Sequence, residues 1–188
     1  MVVAATLSAL FWRGKNRDLL WFGVVVVGAF ATQALLKKMG RATRMAAQMV
    51  GALALTASAP AAYYVITGRL DASAWALWLT NLWFAGDQIH FVSLRIRAAR
   101  AANWSEKFAA GRSFFGGQIL LVAILGLACY RSVLPPWTWI AFVPVLFRGV
   151  TWFGKKPQPI AVRRLGWTEF AHALAFGGIL IAVFRFAG

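Results

Sequence analysis

The sequence is poor in the residues from which soluble enzymes and metalloproteins build their sites. Of its 188 residues, one is cysteine, two are histidine and five are acidic. The single cysteine, Cys129, excludes an internal disulfide, a zinc site made of cysteines alone and an iron–sulfur cluster within this chain. Charged residues make up 13% of the chain, whereas soluble domains contain about 25%. An ordinary soluble domain is therefore excluded.

Long apolar runs take the place of the missing charged residues. Hydrophobic residues make up 61% of the chain, and ten residues are tryptophan. Several runs approach or reach the length of about 20 residues that spans a hydrocarbon core. None alternates in segments of about 10 residues, as the strands of a membrane barrel do. Because backbone groups in lipid must be satisfied internally, the runs should be helices.

We therefore predict an all-α protein, a polytopic membrane helix bundle of six to seven transmembrane helices. A single integral membrane domain should cover residues 1–188. The short first run leaves open whether it spans, and Pro60 and Pro144 should kink the third and sixth runs because proline lacks a backbone N–H. The predicted runs cover residues 1–12, 19–36, 45–66, 72–94, 114–130, 137–153 and 167–186.

The net charge of +15 would also suit a nucleic-acid-binding protein. The basic residues, however, lie in short clusters between apolar runs, which is typical of loops that face anionic lipid. We therefore predict membrane lipids as partners and no nucleic acid. The connections after runs two, four and six are the more basic ones, which places them in the cytoplasm and the protein in the bacterial cytoplasmic membrane. Their basic residues are Lys37, Lys38, Arg41, Arg44, Arg95, Arg97, Arg100, Lys107, Arg112, Lys155, Lys156, Arg163 and Arg164.

Two clusters of polar residues near run ends are the main candidates for a functional site. Asp87, Gln88 and His90 lie near the end of the fourth run, and Glu169 and His172 lie near the start of the last. Polar groups inside membrane helices are costly, so they often mark function. The i, i+3 spacing puts each acid on the same helix face as its histidine. Both histidines should lie roughly 7 Å below the cytoplasmic interface, at about 1.5 Å per residue.

Residue types alone leave several roles open for these clusters. Asp87, His90, Glu169 and His172 have the chemistry of ligands for a first-row metal, as in helical di-iron bundles. His90 and His172 alone would instead ligate a haem, and Gln88 would suit a quinone carbonyl. A purely structural alternative pairs the two acids with nearby arginines, namely Arg95, Arg97, Arg163 or Arg164.

The arginines after the fourth run suggest a second kind of site. Arg95, Arg97 and Arg112 would bind a phosphate or another anionic headgroup, because guanidinium groups bind phosphate oxygens in bidentate fashion. The alternative is that these charges only fix the topology and attract anionic lipids at the cytoplasmic face.

One segment resembles a known family of membrane proteins. Lys37-Lys38, then Gly40-Arg41-Ala42-Thr43, then Gln48 and Gly51 resemble the K-R-x-T…Q…G segment of UbiA-type membrane prenyltransferases. It has the same setting, a cytoplasmic loop that enters a helix. The resemblance implies a UbiA-like bundle.

Two further segments extend this resemblance. Phe84 to Arg97 resembles the helix that delivers the second aspartate-rich motif of UbiA-type enzymes. Val162 to Glu169, followed by His172, is similar to the entry of the last helix in the YwiC-like integral membrane proteins, which are UbiA-like in fold. Where the second motif would fall, near Ser93 to Arg97, serine and arginine replace carboxylates. Without clustered carboxylates the chain has no evident way to bind Mg²⁺ and a diphosphate.

The leading functional prediction is therefore non-catalytic. We expect an integral membrane subunit or accessory protein that binds a lipid or isoprenoid-type ligand, or docks in a larger membrane complex with other membrane protein subunits. One alternative is a redox subunit that binds haem or a metal through His90 and His172. The other is a degenerate UbiA-like prenyltransferase. Haem, a metal ion, a quinone and a lipid all remain open as ligands.

Overall fold

The computed structural model describes residues 17–40, 42–156 and 160–187. In these ranges the chain is helical and has no β-strand, which confirms the predicted all-α class. The predicted run 1–12 lies outside the described residues, as does Arg41. The described helices are α1 (Arg17–Lys38), α2 (Arg44–Thr56), α3 (Ser58–Thr67), α4 (Ala72–Ala98), α5 (Trp104–Tyr130), a 3₁₀ turn (Pro136–Thr138), α6 (Trp139–Gly154) and α7 (Val162–Ala187).

Within the described ranges, four helical stretches are long and apolar enough to cross a membrane. They are Leu19–Lys38, Arg44–Thr67, Trp104–Tyr130 and Val162–Phe186. The described part of the chain thus has the make-up of an integral membrane protein, whereas six to seven spans stay a prediction. Of the other two long helices, α4 has 27 residues but carries the polar cluster around Asp87, and α6 has only 16.

Pro60 and Pro144, the two prolines predicted to kink helices, differ in whether the helix is continuous around them. In the third run, α2 ends at Thr56 and α3 begins at Ser58, so the helix is interrupted just before Pro60 as predicted. Pro60 has no N–H to donate to the carbonyl four residues earlier, on Thr56. By contrast, α6 continues through Pro144.

The segment 95–112, predicted as a basic loop with partial helix at the interface, is largely helical in the structure. Helix α4 extends to Ala98 and α5 begins at Trp104. The start of α5 is fixed by a reciprocal cap, in which the Asn103 side chain accepts the Glu106 N–H at 2.9 Å. The Glu106 carboxylate in turn accepts the Ala102 N–H at 2.9 Å. Such caps satisfy the free N–H groups of a first helical turn, which is why the helix begins here.

The chain divides into two compact units, with the boundary between Leu82 and Trp83 inside α4. In the first unit, Trp78 Nε1 donates to the Leu53 carbonyl at 3.4 Å. The rings of Phe22 and Trp75 lie 6.2 Å apart. These aromatic contacts hold together a unit whose described interior consists mainly of alanine and other small side chains.

The second unit contains the C-terminal part of α4 together with α5, α6 and α7. Its core includes Phe91, Leu94, Phe114, Trp152 and Leu165, which lie on all four helices. This packing turns one face of each helix inward. The inward faces carry the polar residues described next.

Candidate functional site

Arg148 on α6 lies at the centre of the polar residues of the second unit. Its Nη2 is 2.6 Å from Asp87 Oδ2 on α4, and its Nη1 donates to Gln88 Oε1 at 2.8 Å and also to Glu169 Oε2 on α7. The side chains of Arg148 and Asp87 are 7% and 2% exposed. The two predicted acidic clusters therefore meet, and a buried guanidinium joins them.

The arginines predicted to pair with these acids form no ion pair with them; these are Arg95, Arg97, Arg163 and Arg164. Both ion pairs in the described part of the chain are made by Arg148. A signal for Arg148 was present, since it is the only charged residue in the apolar run 137–153. A lone charge inside a membrane helix is itself a candidate for function.

A second missed residue, Gln118 on α5, extends the cluster. Its Nε2 donates to Asp87 Oδ1, so Asp87 is held by two other helices. Four buried atoms of the cluster have no hydrogen-bond partner among the described residues. Because buried polar atoms are rarely left unpaired, the cluster has capacity for further partners. These atoms are Gln88 Nε2, Gln118 Oε1, Arg148 Nε and Glu169 Oε1.

The two histidines do not join this cluster. His90 Nε2 lies 3.0 Å from Ser113 Oγ, and its ring packs edge-on against Phe114. His172 Nδ1 lies 2.6 Å from the Thr168 carbonyl, one turn earlier on its own helix. A carbonyl only accepts, so Nδ1 of His172 is the donor of this hydrogen bond.

The predicted layer of metal ligands does not form. Asp87 and Glu169 bind Arg148, while His90 and His172 have separate partners. Among the described residues, no group of three or more His, Cys, Asp or Glu side chains is placed to hold a metal ion. The physical reason is that the guanidinium of Arg148 already lies between the two carboxylates and supplies the positive charge that a metal would bring.

A cavity of about 600 Å³ lies beside this cluster in the second unit. Basic residues from three parts of the unit converge on it, and among the described residues Glu169 is the one acidic residue in its wall. Aromatic and aliphatic side chains form much of the rest. The full lining is Phe91, Arg95, Phe147, Arg148, Thr151, Trp152, Lys155, Ala161, Arg164, Leu165, Thr168, Glu169 and His172.

The predicted anion donors are only partly in place. Arg95 lines the cavity, whereas Arg97 and Arg112 are exposed and do not. Residues two positions apart on a helix point to nearly opposite sides, which separates Arg97 from Arg95. Lys155, which follows α6, and Arg164 on α7 line the cavity together with Arg95.

Lys107 on α5 holds the end of α6 that borders the cavity. Its side chain is buried, at 2% exposure. Its Nζ donates to the carbonyls of Trp152 at 2.6 Å and Phe153 at 3.3 Å, and also to that of Lys155. The ring centroids of Trp104 and Trp152 lie 4.9 Å and 4.4 Å from Nζ. A cation at a helix C-terminus satisfies free carbonyls and opposes the negative end of the helix dipole.

No family model, curated protein or solved structure matches this chain. The resemblance to UbiA-type and YwiC-like proteins therefore stays a prediction. What can be said about function comes from the geometry of the cavity and of the cluster around Arg148.

Proposed function

We propose that this is a non-catalytic integral membrane protein that binds the anionic headgroup of a lipid or isoprenoid-type amphiphile in the cavity of its second unit. The observation that carries the proposal is the composition of the cavity wall. Four basic side chains line it against one acidic side chain, Glu169. Such an excess of positive charge within a concave wall attracts and holds anions.

Three of the four basic groups are available to a ligand. Arg148 is already engaged with Asp87 and Glu169. Arg95, Lys155 and Arg164 form no ion pair with any described residue. Guanidinium and ammonium groups form short, charge-assisted hydrogen bonds with phosphate oxygens, and guanidinium binds them in bidentate fashion. The available donors are therefore of the kind that phosphate headgroups need.

The remaining wall suits an apolar tail. Phe91, Phe147 and Leu165 contribute hydrophobic surface beside the basic groups. A volume of about 600 Å³ falls within the range of about 300–1,000 Å³ typical of small-molecule sites. Since α7 is long and apolar enough to lie in a membrane, an amphiphile could place its chain in lipid and its head in the cavity.

The acidic residues support binding rather than magnesium-dependent transfer. Magnesium sites use carboxylates together with phosphate oxygens and water. Here Asp87 and Glu169 are both engaged in ion pairs with Arg148. A prenyl transfer reaction would need carboxylates free to hold Mg²⁺ against a diphosphate, and this cluster does not offer them.

The test is a binding measurement with matched arginine variants. Purified protein in a neutral detergent is titrated with dioctanoyl phosphatidic acid, and binding is followed by calorimetry. Loss of one charge-assisted contact is worth about 1.5 kcal/mol, so Arg95→Gln and Arg164→Gln should each weaken binding about tenfold. Arg97→Gln and Arg163→Gln are the controls, because each removes the same charge from a neighbouring exposed position outside the cavity wall.

The controls separate a defined site from general attraction to a basic surface. Arg97→Gln and Arg163→Gln should change affinity by less than about twofold, the scale of a screened surface charge. If they weaken binding as much as the cavity variants do, the cavity is not the site. If phosphatidic acid does not bind the unaltered protein, the proposed function is wrong.

A further inference from the structure

We infer that the ligand's head is a dianion, a phosphate monoester at the end of an apolar chain, rather than a phosphodiester or a sulfate ester. This inference rests on the proposed function and narrows its ligand class. It follows from the charges around the cavity and from the way they are distributed over the elements that form its wall.

The charged groups of the wall and of the cluster behind it leave a positive excess of at least two. The inner cluster of Asp87, Arg148 and Glu169 contains two acids and one base. Arg95, Lys155 and Arg164 add three bases to the cavity wall. The buried ammonium of Lys107, at the end of α6 that borders the cavity, adds to this excess. A head with two negative charges therefore neutralises more of the positive charge than a head with one.

The ester classes differ in the charge that they bring. A phosphodiester and a sulfate ester each carry one negative charge, while a phosphate monoester carries about 1.5 to 2 at pH 7 and has three acceptor oxygens. Coulomb attraction to a fixed positive group grows in proportion to the ligand's charge. The cavity should therefore favour the monoester even where the three heads have similar size.

The placement of the three available bases matches a head with three free oxygens. Arg95 lies in the last turn of α4, Lys155 directly after α6, and Arg164 in the first turn of α7. Each therefore approaches the cavity from a different element. A monoester oxygen can face each base, whereas a diester has only two unesterified oxygens to share among them.

The experiment compares ligands that share one chain and differ in the head. Octyl phosphate, methyl octyl phosphate and octyl sulfate are titrated by calorimetry into the detergent-solubilised protein at pH 8, where the monoester is a dianion because its second pKa is about 6. Octyl phosphate should bind about tenfold more tightly than either monoanion, a difference of about 1.4 kcal/mol. Arg95→Gln and Arg164→Gln should reduce this preference, while Arg97→Gln and Arg163→Gln should retain it.

The possible outcomes separate the inference from the proposed function. Equal affinity for the three octyl esters would overturn the dianion inference and leave the proposed anionic amphiphile in place. Failure of all three to bind would overturn both. Ethyl phosphate tests the apolar chain: if it binds as tightly as octyl phosphate, the cavity takes a water-soluble monoester and the amphiphile assignment is wrong.

Discussion

Arg148 Nη2 and Asp87 Oδ2 lie 2.6 Å apart and join α6 to α4, although 61 positions separate the two residues. Both side chains are almost fully buried, and Glu169 on α7 contacts the same guanidinium. The same arginine thus links three helices and also lines the cavity proposed to bind a ligand. Variants of this cluster should therefore affect both stability and binding, and the two effects can be separated.

Arg148→Met should be one of the most destabilising single substitutions in the second unit. It leaves Asp87 and Glu169 without their cation, and breaking a buried ion pair from one side costs about 3–5 kcal/mol. The measurement is the midpoint of unfolding in a denaturing-detergent titration. Arg148→Lys, which keeps the charge but loses the forked geometry, should lie between Arg148→Met and the unaltered protein. An unfolding midpoint of Arg148→Met equal to that of the unaltered protein would show that the cluster contributes nothing to stability.

Replacing all three charged residues of the cluster should restore stability. In the triple variant Asp87→Leu, Arg148→Met, Glu169→Met no buried charge remains unpaired, and apolar replacements of buried ion pairs are often neutral or stabilising. The triple variant should therefore unfold later than Arg148→Met alone. It should bind octyl phosphate at least as tightly as the unaltered protein does, because the variant removes two acids and one base and so raises the positive excess at the cavity. If it is less stable than the single variant, the instability of Arg148→Met is not due to unpaired charge.

The sequence could predict the all-α class of fold for two reasons. The apolar runs are long enough to span a membrane, and in lipid their backbone N–H and C=O groups must form hydrogen bonds within the run, which only a helix allows. The sequence could also predict a disturbance of the helix near Pro60, because proline has no backbone N–H to donate. It did not show where α5 begins, because the Asn103–Glu106 cap sits among basic residues that resemble a loop. Because the first turns of α5 are rich in polar residues, their sequence is typical of a loop.

The candidate site could be predicted in part. Asp87, Gln88 and Glu169 can be identified from the sequence because polar residues are rare in apolar runs. Their partner cannot, because proximity in sequence points to arginines other than Arg148. Arg148 reaches Asp87 only through helix packing, and spacing along the chain carries no information on that contact. For the same reason Lys107 was counted as a loop charge, although α5 buries it against the end of α6.

The position of the Arg148 guanidinium between the carboxylates of Asp87 and Glu169 predicts that the protein is insensitive to chelators. With Arg148 between the two carboxylates, removal of metal ions with EDTA should leave the melting temperature in detergent unchanged. His90→Ala and His172→Ala should likewise show the same response to EDTA as the unaltered protein. If the melting temperature falls with EDTA and recovers when one metal is added, this prediction is wrong. His90 and His172 would then again be candidate metal ligands.

Lys107 should be needed for both the end of α6 and the cavity beside it. Lys107→Met keeps the length of the side chain but removes the ammonium from the carbonyls of Trp152, Phe153 and Lys155. Hydrogen bonds to a charged group are worth about 1.5–3 kcal/mol, so amide exchange at the C-terminal end of α6 should become about ten- to a hundredfold faster. Octyl phosphate should also bind more weakly, because Lys155 is no longer held at the wall. Lys156→Met, which removes an exposed neighbouring charge, is the matched control and should change neither quantity, whereas equal effects from the two variants would mean that net charge, and not the buried contact, is responsible.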